Sequence, residues 1–245
     1  MIFDVHEERM LVVSDLHLGN PVSTARSRLM DFLHEARVGG WSICINGDGF
    51  DLLQSRRRRL ASDATAVIGA LKHHMDAGLS AYYVVGNHDI QLEHFLENLI
   101  FTSIAPFLNV HSADARIRVE HGHLYDPWYS RSPSGYAALT RVAGLGRAAV
   151  GDVYSRFSRW QASGRGRSAT GSRTARPYLE GAEIVLERGF DAVIFGHTHH
   201  SDDATVRGGR VVNSGNWMHD STFVRIDHGE VTLARWEPGV LEATA

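Results

Sequence analysis

Ala81-Tyr82-Tyr83-Val84-Val85-Gly86-Asn87-His88-Asp89 is the stretch that decides how this chain is read. Five apolar residues and a glycine lead into three side chains able to bind a metal or move a proton. A short apolar run closed by glycine reads as a buried strand, which places the polar residues at its C-terminal end. The arrangement recurs along the chain. Asp15-Leu16-His17 follows the run from Met10, Gly47-Asp48-Gly49-Phe50-Asp51 follows the run from Trp41, His121-Gly122-His123 follows the alternating Arg116 to Glu120, and Gly196-His197-Thr198-His199 follows the run from Asp191 to Phe195. Among fifteen histidines some coincidences are certain, but five such clusters at successive strand ends are hard to obtain by chance.

Helical spacing fills the intervals. Leu29, Phe32, Leu33 and Ala36 predict a helix from Thr24 to Val38, stopped by Gly39-Gly40; Ala64, Val67, Ile68, Leu71 and Met75 predict a second, ended by Gly78. Leu92, Phe95, Leu96 and Leu99 mark a third, and Leu179 to Arg188 a fourth closed by Gly189. Strands alternating with helices, with polar residues at the strand ends, predict an α/β fold whose site lies beyond the carboxyl edge of the sheet. The tail, near Arg210 to Asn213, Thr222 to Ile226 and Val231 to Trp236, reads as antiparallel strands.

With 245 residues, 43% of them hydrophobic, the chain suits one domain with an insertion. The insertion, at about 127–177, holds nine arginines and one acid, a net +8 that leaves −11 on the remainder of a chain totalling −3. Trp128, Tyr129, Tyr136, Tyr154, Phe157 and Trp160 are interleaved with the arginines. Two or three short helices forming a cap beside the site are expected; an ordinary packed insertion with a basic face is the alternative. The Arg56 to Arg59 run reads as a solvated loop or helix start, or as an electrostatic aid to a neighbouring site. The single cysteine, Cys44, lies inside an apolar run, so it reads as a small buried hydrophobe, excludes an intrachain disulfide and points to a reducing compartment. The first residues lack the basic start and apolar core of a signal peptide, and no apolar run approaches the ~20 residues needed to cross a bilayer. A cytoplasmic location is expected, with attachment to a membrane surface left open.

Carboxylate oxygen, imidazole nitrogen and amide oxygen, without thiolate, suit Mn²⁺, Fe²⁺, Zn²⁺ or similar ions. No GxxxxGK[ST] loop is present, which argues against a P-loop nucleotide hydrolase. As a set, Asp15-x-His17, Gly47-Asp48-x-x-Asp51, Gly86-Asn87-His88-Asp89, His121 and Gly196-His197-x-His199 resemble the calcineurin-like metallophosphoesterase superfamily, whose signatures occur in this order. The resemblance implies a four-layer αββα sandwich with a dinuclear centre. By motif, Asp15, His17 and His199 would hold one metal, Asn87, His121 and His197 the other, and Asp48 would bridge them. Two divalent ions are implied, Mn first, with Fe or Zn as alternatives, and a cation pair of this kind binds a phosphoryl group and activates water. His88 would then stabilise the phosphoryl oxygens or protonate the leaving group, with Asp89 orienting its ring and Asp51 serving behind the ligands.

Ser14-Asp15-Leu16-His17-Leu18-Gly19, His121-Gly122-His123-Leu124-Tyr125-Asp126, the basic insertion with Gly151-Asp152-Val153-Tyr154, and Asn213-Ser214-Gly215-Asn216-Trp217 further resemble the UDP-2,3-diacylglucosamine diphosphatases of lipid A synthesis. That resemblance implies cleavage of a pyrophosphate between UMP and an acylated sugar phosphate at the inner membrane face, with Asn87 and cap residues Arg156, Arg159 and Trp160 as substrate contacts. The chain departs from that group at His123, where aspartate is usual, at Asn216, and at the small Gly49; none of these is a ligand position. The alternatives are a phosphodiesterase or phosphomonoesterase acting on soluble nucleotides or small phosphate esters, and a non-catalytic scaffold on the same fold. Nucleic-acid binding or cleavage by the basic segment is a lesser reading, because the rest of the chain is acidic.

Overall fold

The computed structural model describes residues 3–20, 23–52, 55, 57–89, 101–138, 174–218 and 220–241. The expected third helix and most of the insertion, including Arg156, Arg159 and Trp160, lie outside the described residues.

Strands β1 (Asp4–His6), β2 (Arg9–Val13), β3 (Ser42–Asn46), β4 (Ala81–Val84), β5 (Ser103–Ala105), β6 (Phe107–Ser112), β7 (Ala115–Glu120), β8 (Ala192–Phe195), β9 (Ser201–Val206), β10 (Gly209–Ser214), β11 (Thr222–Asp227) and β12 (Glu230–Arg235) form two six-stranded sheets. One has the order β12-β11-β2-β3-β4-β5, the other β1-β6-β7-β8-β10-β9. In the first, β2 to β5 run parallel and β11 pairs antiparallel to β2; in the second, β7, β8 and β10 run parallel. Both sheets are thus mixed, with parallel centres that deliver their loops to one edge.

The alternation of side chains along each strand sets the layers. Met10 and Val12 of β2, Cys44 of β3 and Tyr82 and Val84 of β4 face Leu108, Val110, Ile117, Val119, Ile194 and Val212 of the other sheet, filling the space between the sheets. Their neighbours Leu11, Val13, Ile43, Ile45 and Tyr83 point outward and pack under helices α1 (Ala25–Val38) and α2 (Arg57–Asp76), through Leu29, Phe32, Leu33, Val67 and Leu71. On the far side Val193, Phe195 and Val211 pack under the helix α4 (Arg176–Leu186), through Tyr178, Leu179, Ala182 and Val185. Helix, sheet, sheet, helix is the four-layer order implied by the motifs. Cys44 is fully buried between the sheets, and desolvation pushes its thiol pKa upward, as expected of a packing residue.

One boundary and three edge strands differ from the sequence expectations. The helix placed at Leu179 begins at Arg176, because Pro177 in its first turn needs no amide partner. The edge strands β1, β5 and β9 are short or polar, and their alternation is too brief to register as a pattern. Of the insertion, α3 (Pro127–Arg131) and the helical residues 133–138 are described, and both adjoin the carboxyl edge.

Candidate metal centre

All five motifs arrive at one edge of the sandwich. The loops after β2 and β3 are zipped together: Asp15 N donates to Gly47 O at 3.1 Å, His17 N to Asp48 O at 2.9 Å, and Leu18 N to Gly49 O at 2.9 Å. Asp15, His17, Asp48, His197 and His199 all adopt positive φ, between 45° and 64°. Left-handed backbone is uncommon outside glycine and costs free energy, so it persists only where the surroundings hold it. Here it turns five candidate ligands back toward a common point.

Three three-residue groups result: Asp15 with His17 and His199 on one side, Asp48 with His121 and His197 on the other, and His17 with Asp48 and His88 joining them. Asp48 stands between them. Its Oδ1 accepts the His88 backbone N–H at 2.9 Å, while Oδ2 lies 3.4 Å from His121 Nε2 and 4.0 Å from both His17 Nε2 and His88 Nε2. In the first group His199 Nε2 is 3.1 Å from Asp15 Oδ1 and 3.2 Å from His17 Nε2. His121 Nδ1 donates to the Asn46 carbonyl at 2.9 Å, which makes Nε2 the nitrogen turned toward Asp48. Asn87 joins the cluster through its neighbours: His88 N is bonded to Asp48, and a Cβ on Gly86 would overlap the Asp48 carboxylate.

The donor set fits divalent cations. Asp15 Oδ1, His121 Nε2 and the Asn87 amide oxygen are buried without a hydrogen-bond partner among the described residues, whereas buried polar atoms are ordinarily paired. Burial disfavours charge on every group here, yet Asp48 is held well below the usual carboxylate range by His121, His88 and His17. The same buried carboxylate raises His88 and His121 to about 9 against the cost of their desolvation. Such a concentration of negative charge would equally be offset by cations. Asp15 and Asp48 with neutral Asn87 and four imidazoles would leave two divalent ions net positive, as an anionic substrate requires.

Behind the ligands the structure corrects one expectation. Asp89 does not orient His88. Its Oδ1 accepts Gly86 N–H at 2.7 Å, and its Oδ2 accepts Gly49 N–H at 2.9 Å and the Tyr83 hydroxyl, so it clamps the loop after β4 onto the loop after β3. The ring of His88 is instead met by Asp51, whose Oδ1 lies 3.1 Å from Nδ1. The other Asp51 oxygen accepts from Asn20 Nδ2 at 2.7 Å and lies 3.6 Å from His17 Nδ1. The reason is directional: the Asp89 carboxylate is taken up by one amide of its own turn, Gly86, and by Gly49 and Tyr83 beside it, all away from the His88 ring.

Several residues support the ligand loops in roles that the sequence leaves unassigned. Tyr83, on the outer face of β4, donates to Asp89 and accepts from Gly49 N at 3.0 Å. A Cβ on Gly49 would lie 2.5 Å from that hydroxyl oxygen, which explains the small residue there. Asn213 and Asn216 donate to the carbonyls of Gly196 and His199 at 2.9 and 3.0 Å, holding the loop that carries both histidines. Asp126, at the start of the insertion, places Oδ2 3.1 Å from His197 Nε2; in sequence it closes the His121 to Asp126 segment and precedes Pro127, the pattern of a helix N-cap. His123 packs edge-on against Tyr129 at 4.8 Å between ring centroids and belongs to none of these groups.

The family model described as calcineurin-like phosphoesterase matches residues 8–201. UDP-2,3-diacylglucosamine hydrolase of Stenotrophomonas maltophilia (strain K279a) is 25% identical over 244 residues, covering 91% of this chain and 96% of that protein. Among solved structures, the cold-active protein-tyrosine phosphatase of a psychrophilic Shewanella species is 13% identical with a TM-score of 0.49, covering 95% of this chain and 80% of that one. Vacuolar protein sorting 29 from Cryptosporidium parvum is 12% identical with a TM-score of 0.47, covering 93% and 96%.

Proposed function

We propose, from the premise that the chain belongs to the calcineurin-like phosphoesterase family, that this metal-dependent phosphoester hydrolase cleaves the pyrophosphate of a nucleotide-linked acylated sugar. The observation that carries the two-metal reading is the place of Asp48 between two groups of candidate ligands. In this reading Asp15, His17, Asp48 and His199 hold one cation and Asp48, Asn87, His121 and His197 the other. Bound there, two divalent ions supply Lewis-acid activation of the phosphoryl group and of the attacking water. The protein's own groups do the remainder. His88, with Nδ1 held by Asp51, presents Nε2 beside Asp48 and donates a proton to the departing oxygen. The backbone turns at Asp15, Asp48 and His197 fix the ligands before substrate arrives.

The substrate class is supported by the Stenotrophomonas relative and by the +8 insertion, in which arginines suit phosphates and aromatic residues suit acyl chains. Mn²⁺ is the first candidate ion, since oxygen and imidazole donors accept it readily. No described helix is long and apolar enough to cross a membrane, and contact with a membrane surface is part of this proposal through the lipid substrate.

The test is hydrolysis of UDP-2,3-diacylglucosamine, cyclic nucleotides, bis(p-nitrophenyl) phosphate and p-nitrophenyl phosphate by the Mn²⁺-loaded protein and by Asp48→Asn. Preference for the first substrate, abolished in the variant, is expected. Preference for soluble diesters or monoesters replaces the substrate assignment. Absence of hydrolysis on the whole panel, with at most one weakly bound ion, favours a scaffold on the same fold.

A further inference from the structure

Asp126 lies outside the five motifs, yet its carboxylate meets a candidate ligand on one side and the insertion on the other. Oδ1 accepts the Trp128 backbone N–H at 2.8 Å and so caps α3. Oδ2 lies 3.1 Å from His197 Nε2, and the two side chains are only 17% and 6% exposed. An ionised carboxylate can only accept, so this hydrogen bond needs the proton on Nε2 and leaves the lone pair on Nδ1. Nδ1 is then the atom that His197 can offer beside Asp48 and His121.

The geometry points to Asp126 as a positioning residue that fixes the tautomer and rotation of His197, tying one candidate metal site to the first turn of the basic insertion. This inference rests on the two-metal reading. The backbone makes the tie stiff: Asp126 is extended, with φ −74° and ψ 116°, and is followed by Pro127 in the first helical turn, where the ring pre-sets the helical direction. The carboxylate therefore has little freedom that is independent of α3. A second contact runs alongside it. Tyr129 of α3 packs edge-on against His123, whose ring lies 5.5 Å from that of His121 and 6.4 Å from that of His197. A displacement of α3 is thereby felt at both histidines grouped with Asp48 on that side.

Capping and tautomer control can be separated by substitution. Serine caps a helix about as well as aspartate but is too short to reach the imidazole, so Asp126→Ser removes only the second role. Metal-free wild type and variant are titrated with Mn²⁺ and with Co²⁺ by calorimetry, and both metal-free proteins are labelled with ¹⁵N-histidine to read the His197 tautomer. The expected result is two ions in the wild type, a loss of roughly 10–100-fold in affinity for one of them in Asp126→Ser, an unchanged metal-free melting temperature, and an Nε2–H tautomer that gives way to a mixture. If serine prevents folding, Asp126→Asn carries the test: with its amide oxygen capping Trp128 it turns its N–H₂ toward His197 Nε2, which moves the ring proton to Nδ1 and costs at least several-fold in affinity for one ion. Wild-type affinity for both ions in the folded variant overturns the inference. A wild type that takes up fewer than two ions overturns the two-metal reading instead.

Discussion

Asp51 Oδ1 and His88 Nδ1 face each other at 3.1 Å inside the edge where both sheets end, and neither side chain is more than 3% exposed. A buried carboxylate against Nδ1 fixes which nitrogen carries the outward proton and keeps the ring turned toward Asp48. His88→Ala is expected to lower kcat by about 10²–10⁴-fold on a substrate with a poor leaving group, and less on an activated nitrophenyl ester, whose leaving group needs no proton. Equal losses on both substrates would remove His88 from proton donation.

Asp51 takes the ring-orienting role that the motif reading gives to Asp89, and Asp89 clamps two loops instead. Asp51→Asn is expected to lower kcat by about 10–100-fold by freeing the ring, with metal uptake measured in parallel because Asp51 also approaches His17. Asp89→Asn leaves the ring contact intact but sets an amide N–H₂ against donors at Gly49, Gly86 or Tyr83. Its expected cost is about 1–3 kcal/mol in urea unfolding, with a smaller kinetic effect. A larger kcat loss in Asp89→Asn than in Asp51→Asn would reverse the assignment.

Gly49 and Tyr83 occupy one space. A Cβ at Gly49 would meet the Tyr83 hydroxyl at 2.5 Å and Ile45 Cγ2 at 2.9 Å, so Gly49→Ala is expected to destabilise by about 1–3 kcal/mol through overpacking. Tyr83→Phe removes the hydroxyl and one of the donors to Asp89, costing about 1 kcal/mol. In the double variant the methyl enters the space the hydroxyl left, so the two costs should fall short of their sum by about 0.5–3 kcal/mol. Strict additivity would show that the clash is relieved elsewhere, toward Ile45.

What could be read from sequence follows from range. The strand runs, the helices over Leu29 to Ala36 and Val67 to Leu71, and the five motifs are local, and each appears where the spacing put it. The order of the strands across two sheets is not local, because β2 pairs with β3 and also with β11 more than two hundred residues onward. Left-handed backbone at Asp15 and His197 is equally invisible in spacing, since it is imposed by neighbouring loops. The Asp51–His88 contact is hidden for the same reason: adjacency in sequence favours Asp89, whereas two loops meeting in space bring in Asp51.

Gly86 allows the loop after β4 to lie against Asp48. A Cβ there would sit 2.5 Å from the Asp48 backbone nitrogen as well as against its carboxylate, and backbone cannot rotate away as a side chain can. Gly86→Ala should therefore displace Asp48 and weaken both candidate sites together, read as loss of Mn²⁺ uptake in calorimetric titration. Retention of both ions would mean that the loop carrying Asn87 shifts as a unit.

His123 offers a test by pH. Burial disfavours its imidazolium and the neighbouring His121 and His197 repel it, so its pKa falls to about 3; divalent cations at those neighbours would act in the same direction. The unfolded chain takes up this proton near pH 6.5, whereas the folded chain holds out to about pH 3. Between those limits the unfolded state binds more protons, so the stability linked to His123 is fully present above pH 6.5 and is lost as pH falls through that window. The contribution to the slope is at most about 1.4 kcal/mol per pH unit. Replacing His123 by Asn removes this titration, and urea unfolding at pH 7.5 and pH 5 should show a smaller loss of stability in the variant than in the wild type. Equal losses would place the acid sensitivity of the fold on other groups, and would mean that His123 protonates in the folded state with its ring turned away from Tyr129.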